Sequence, residues 1–149
     1  MSSHVSEAGA TQPVLFIPHG AGPCFFMDWS PKDTWRGMAD FLTDIESSLP
    51  AKPKAILMVS AHWLATEFSL TSGNQPGLIY DYYGFPNHTY ELTYPAPGAP
   101  ALARHVAQRL NAAGIANRQD DSRGFDHGMF IPRVIVKSGV RHQAAFLSD

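Results

Sequence analysis

Apolar positions along the chain fall into short runs and stripes that predict an α/β fold. Val14–Ile17 (VLFI) and Ala55–Ser60 (AILMVS) are runs of aliphatic and β-branched residues. They are too short for helices and of the kind that parallel sheets bury on both faces. Each leads into a turn that carries a histidine: His19 in Pro18-His19-Gly20, and His62 between Ser60 and Trp63. Between the two runs, Trp35, Met38, Leu42, Ile45 and Leu49 recur at three- and four-residue steps, the apolar stripe of a helix packed on a sheet. Ser30-Pro31 reads as its N-cap and first helical residue, and Pro50 and Pro53 as its end. Trp35 is assigned to the core. Strand, helix, strand predicts a right-handed crossover and parallel pairing.

Farther along, Phe68–Thr71 predicts a short third strand. Leu102, Val106 and Leu110 mark a helix over residues 99–113, closed by Gly114, and a short strand is expected near residues 115–118. His105 falls outside that helix's stripe and is placed on its exposed side. Residues 72–100 read as a long loop crowded with Tyr80, Tyr82, Tyr83, Phe85, Tyr90 and Tyr94. Such a loop either is pinned by its own aromatics or forms a wall for a flat substrate. Met129–Val136 is apolar without a period that decides between helix and strand. The whole predicts an α/β domain with a mainly parallel central sheet flanked by helices. Residues 1–12 are a frayed, flexible N-terminus, 13–136 the domain, and 137–149 a tail with no clear period.

Composition narrows the partners. A length of 149 residues and 44% apolar content suit one domain with a real core. A net charge of −2 offers no basis for nucleic-acid binding or an anionic membrane, and no apolar run approaches the roughly 18 residues of a membrane span. Cys24 is the single cysteine, so no intrachain disulfide forms; with an N-terminus unlike a signal peptide, this favours a cytoplasmic setting.

The candidate chemistry lies in the histidines. In open parallel sheets, ligands bind beyond the carboxyl ends of the strands, so His19 and His62 can meet in one crevice there. His127, in the compact turn Gly124-Phe125-Asp126-His127-Gly128, is the third candidate. Two histidines with further open positions suit catalytic zinc or non-haem ferrous iron. His127 beside Asp126 suits a general acid–base. His4, His88, His105 and His142 lack a patterned context and are assigned surface or structural roles. HExxH, GxSxG, CxxC and phosphate-loop motifs are absent. A Cys24–His19 nucleophilic pair is the weakest of the candidates.

Four segments in order, PHGAGPCFF, PKAILMVSAHW, IYDYYGFPNHTYELTYPAPGAPALA and GFDHGMFIP, resemble the class III extradiol ring-cleavage dioxygenases. The resemblance is closest to their DOPA 4,5-dioxygenase-like branch and covers residues 13–136. It implies the N-terminal part of that family's α/β fold, with a mononuclear metal at the strand ends. It also implies cleavage of catechol-type rings with O2, with Fe2+ as the metal and Zn2+ as the alternative. Carried over by motif, His19 and His62 match metal ligands and His127 an acid–base histidine. Tyr82, Gly84, Phe85 and Pro86 match a loop bordering the substrate, and Met129–Val136 becomes a helix. Family members are longer, and their third metal ligand lies downstream of the matched portion. The resemblance therefore implies that this chain lacks that ligand, is impaired as a catalyst and self-associates through uncovered apolar surface. Two other readings stay open: a non-catalytic metal-binding or interaction remnant, and a zinc hydrolase using the same two-histidine crevice.

Overall fold

Ala55–Ser60 forms strand β1 and Phe68–Thr71 forms β2, with the boundaries that the apolar runs predict. The computed structural model describes residues 11–135 and the backbone of residues 143–148. His4, His142 and residues 1–10 of the expected flexible N-terminus lie outside the described residues. Leu78–Ile79 is β3, Asn117–Asp120 is β4, Phe125–Asp126 is β5 and Gln143–Ser148 is β6. One sheet has the order β1-β6-β2-β4, and β3 and β5 form a separate two-stranded ladder. Pairing is parallel for β1 with β6, β2 with β4 and β3 with β5, and antiparallel for β2 with β6. The domain is therefore α/β with mainly parallel pairing, as expected.

Two expectations fail at the ends of the chain. Val14–Ile17 is not a strand: residues 11–20 have no regular structure, and Val14 and Phe16 are fully exposed. An apolar run becomes a strand only when a neighbour completes its backbone hydrogen bonds, and no described strand pairs with this one. The predicted crossover into β1 is therefore not formed. Conversely, the tail read as featureless supplies β6, which runs beside β1 from Ala55↔Gln143 to Ser60↔Ser148 and meets β2 at Leu70↔Leu147 and Thr71↔Phe146. A strand held between two neighbours takes its order from them and need not show a period of its own.

Helix α1 spans Arg36–Ser48, with Leu42 fully buried and Met38 and Ile45 half-buried. Ser30-Pro31 does not cap it; that peptide is cis, and turns closed by Thr34 N–H on the Pro31 carbonyl and Arg36 N–H on the Asp33 carbonyl precede the helix. Helix α2, Pro100–Ala112, buries Ala103 and Ala107 against Leu70, with Val106 and Leu110 at the margin and Gly114 at φ 73° beyond its end. The strand after it is β4, two residues later than expected. Helix α3, His127–Ile135, settles the ambiguous segment as helix. It is buried from Met129 to Arg133, and the Arg133 side chain donates to the Tyr94 hydroxyl.

Trp63, Tyr82, Ala96, Phe125, Met129, Phe130 and Ile131 form the main core, which lies directly behind the strand-end turns. Phe130→Ala should lower the unfolding free energy by about 3–5 kcal/mol. Leu64→Ala, at a side chain 89% exposed, should change it by less than about 0.5 kcal/mol. Urea denaturation of both variants checks the contrast.

Candidate metal centre

His62 is presented by anchors on either side. Ser60, the last residue of β1, is buried, and Trp63 is 4% exposed beneath the Arg123 guanidinium, which lies 4.9 Å from the indole centroid. The chain between these anchors turns His62 outward. The Ser60 hydroxyl donates to Asp126 Oδ1 (3.0 Å) and accepts from the His62 main-chain N–H (3.2 Å). Gly128 leaves room for the ring: a Cβ there would stand 2.8 Å from His62 Cδ2 and 2.9 Å from Ser60 Oγ.

His19 comes from the irregular segment before α1. Gly20, at φ 75°, makes the turn after it, and a side chain there would also collide with Cys24 Sγ. The Cys24 thiol is buried, lies 3.8 Å from the His19 carbonyl oxygen, and is pushed up in pKa by burial. Cys24 Sγ faces the His19 main-chain carbonyl, and burial that raises the thiol works against a thiolate nucleophile, so neither observation supports a Cys24–His19 pair. Burial, then the nearby His127 and His62, pushes the His19 imidazole below the usual histidine value, with Asp81 opposing. That favours the neutral, metal-binding form.

His127 opens α3 and is buried. Its ring Nδ1 lies 2.8 Å from Asp81 Oδ1, which also accepts the His127 main-chain N–H at 2.9 Å. Burial works against the Asp81 carboxylate, yet the hydrogen bonds and charge of His127 hold it below the usual carboxylate value. Asp126, fully buried beside it, is raised by burial, and its bonds to Ser60 and the Met129 N–H and the nearby Arg123 oppose the shift.

The three imidazoles converge. His19 Nε2 and His62 Nε2 are 2.9 Å apart. The His127 ring centroid is 4.1 Å from that of His62 and 5.0 Å from that of His19. One nitrogen from each ring falls within 4.8 Å of the others. Two nitrogens bound at about 2.0–2.1 Å and at right angles on one ion stand about 3 Å apart, so the His19–His62 pair fits a shared metal. Both sequence-predicted ligands and the predicted acid–base residue thus meet in one place.

The segment expected to border a substrate is only partly brought to the cluster. Tyr82 is buried with its ring 5.8 Å from that of His127, and its hydroxyl donates to the Thr89 carbonyl (2.5 Å). Burial, then neighbouring Tyr80, pushes that phenol up to about 12. Phe85 packs on Tyr82 and on Gly22, three residues after His19. Gly84 and Pro86 are exposed. Sequence reasoning missed Asp81, Ser60 and Gly128. Asp81 sits in a tyrosine-rich loop with no local signal of its own, while Ser60 and Gly128 act only through residues far away in the chain.

Residues 13–146 match the family described as the catalytic LigB subunit of aromatic ring-opening dioxygenase, and the chain belongs to that family. The match continues beyond Val136 into β6. The chain is 37% identical over 129 residues to the dioxygenase tasH of Hapsidospora irregularis, covering 84% of this chain and 40% of that relative. It is 43% identical over 84 residues to the 4,5-DOPA dioxygenase extradiol of Portulaca grandiflora, covering 56% of this chain and 31% of that one. With the protein of the same description from Escherichia coli strain K12 it shares 34% over 116 residues, covering 78% and 40%. A solved structure, uncharacterized protein JW3007 of Escherichia coli K12, aligns with TM-score 0.57 and 29% identity, covering 74% of this chain and 39% of that one. The chain therefore spans 31–40% of the length of these relatives. Among the described residues no helix is long and apolar enough to cross a membrane.

Gly128→Ala should displace His62 and weaken Co2+ binding by about 10-fold or more. Gly37→Ala, where an added Cβ meets nothing within 4 Å, should leave it unchanged. Isothermal titration of the two variants with Co2+ checks the difference.

Proposed function

We propose that this chain carries the metal-binding portion of an extradiol ring-cleavage dioxygenase for catechol-type, DOPA-like substrates. The observation that supports this reading most directly is the 2.9 Å approach of His19 Nε2 and His62 Nε2, with the His127 ring beside both. His19 and His62 are the proposed ligands of Fe2+; the same nitrogens would also take Zn2+. When bound, such an ion supplies Lewis acidity toward the two diol oxygens and a neighbouring position for O2.

The other steps fall to the chain's own groups. His127, its Nδ1 engaged by Asp81, keeps Nε2 to take a proton from a diol hydroxyl and to give it back later in the reaction. Tyr82 serves as a support rather than a polar contact, since its hydroxyl is committed to Thr89. Phe85, with Gly84 and Pro86 beside it, is the proposed border of the aromatic substrate. With His127 kept for proton transfer, the described residues group no further donor with His19 and His62, so metal binding and turnover by this chain are expected to be weak. Exposed Val14, Phe16, Leu57 and Val59 support self-association of the isolated chain, which sedimentation would register as species heavier than the monomer.

The test is anaerobic titration of the 149-residue chain with Fe2+, followed by O2 uptake and product absorbance with DOPA and simpler catechols. His62→Ala should weaken Fe2+ binding by more than about 100-fold while leaving the urea midpoint in place, because His62 is exposed. Equal Fe2+ affinity in the wild type and His62→Ala would sink the metal assignment. Metal binding without any O2 uptake would instead favour a non-catalytic metal-binding module, and zinc-dependent ester hydrolysis a hydrolase.

A further inference from the structure

We propose that Asp81 is a positioning residue for proton transfer: it fixes His127 as the Nδ1–H tautomer, so that the Nε2 lone pair serves the cluster. The proposal rests on the reading of His127 as the acid–base group of the site. Its basis is a single carboxylate oxygen, Asp81 Oδ1, that accepts two hydrogen bonds from the same residue, from the main-chain N–H (2.9 Å) and from ring Nδ1 (2.8 Å). A carboxylate oxygen can only accept, so the facing ring nitrogen carries a proton, and in the neutral imidazole it is the one nitrogen that does. The main-chain bond fixes the backbone from which the ring projects, so position and tautomer are set by one group. Nitrogens Nδ1 and Nε2 lie on different sides of an imidazole, and which is protonated follows from the bond the other makes. With Nδ1 committed, Nε2 is the nitrogen left for the neighbouring rings of His62 and His19, 4.1 and 5.0 Å away between centroids.

The fold brings the two residues together through its smallest ladder. Strands β3 and β5 pair in parallel with Ile79↔Asp126 in register. His127 follows Asp126 directly, and Asp81 lies two residues beyond Ile79. One step past the last pair sets Tyr80 level with His127, and the Asp81 carboxylate, one residue further on, reaches back to the first residue of α3. There the His127 N–H is one of the helix-start donors without an intrahelical acceptor, and a carboxylate suits the positive helix end. Asp126, the neighbour in sequence, does not play this role: its carboxylate is turned to Ser60 and the Met129 N–H.

The test reads the tautomer itself. In the 15N-labelled 149-residue chain, long-range 1H–15N correlation of the histidine rings should show His127 with a proton-bearing Nδ1 and a pyridine-type Nε2. Asp81→Asn keeps an acceptor oxygen and should keep that pattern. Asp81→Ala should exchange the two nitrogen shifts, as the ring reverts to the Nε2–H form usual in water. A wild-type His127 already in the Nε2–H form would overturn the proposal, and so would an unchanged tautomer in Asp81→Ala. The wild-type spectrum decides the first point even if the alanine variant does not fold. His62→Ala, which tests the metal assignment, should leave the His127 tautomer as in the wild type, so failure of either reading shows in a different measurement.

Discussion

A carboxylate with no exposed surface holds the candidate site together. A buried charge costs several kcal/mol unless it is paired and hydrogen-bonded, and Asp126 meets that demand with one distant partner and two that flank it in sequence. The Ser60 hydroxyl comes from the end of β1, the Met129 N–H from the first turn of α3, and the Arg123 guanidinium, 3.6 Å away, from the segment before β5. Satisfying one group therefore locks strand, helix and connecting segment to one another. His62 hangs from Ser60 and His127 follows Asp126, so the separation of the two imidazoles is set by this bonding rather than by their own contacts. Arg123, stacked on Trp63, extends the same lock to the far side of His62.

The long aromatic segment turns out to be pinned chiefly by its own side chains. Tyr80 donates to the Leu92 carbonyl and Tyr82 to that of Thr89, while Arg133 Nε of α3 donates to the Tyr94 hydroxyl. His88 lies 2.8 Å from the Phe26 carbonyl oxygen and ties the loop to the region just after His19. Chain of this length whose only regular structure is the two-residue β3 and a 3-10 turn at Asn87–Tyr90 carries a large ordering cost. Aromatic burial with a committed hydroxyl offsets it, because each ring removes much apolar area from water while its one polar atom stays satisfied. The loop's most direct link to the histidine cluster is Asp81, a small residue set between Tyr80 and Tyr82.

Four short motifs far apart in the chain meet at one place, which explains why patterns that are weak singly are specific together. The first brings His19 and the second Ser60 and His62. The third brings Asp81 and Tyr82, and the last Asp126, His127 and Gly128. Each is a strand-end or loop segment whose residues serve contacts made in space. None carries a strong local periodicity, as expected where backbone is shaped for a site rather than for a ladder.

Sequence alone determined the parts whose structure is local. The apolar runs of β1 and β2 have the predicted limits because a short apolar run bounded by polar or turn residues has few alternatives, although β1 leaves Leu57 and Val59 exposed rather than buried on both faces. Helices α1 and α2 form where their stripes lie, although α2 buries Ala103 and Ala107 with Val106 and Leu110 at the margin, and His19, His62 and His127 could be singled out from their turns. Tertiary structure decided the rest. Val14–Ile17 has the composition of a strand but no partner among the described residues, whereas Gln143–Ser148 lacks a clear period and is paired on both sides. Strand formation is completed by neighbours, and composition records only the capacity for it. The register Ile79↔Asp126, the clearance that Gly128 leaves for His62 and the double bond of Asp81 to His127 are likewise invisible along the chain. They join residues dozens of positions apart, and no local rule carries information over that separation.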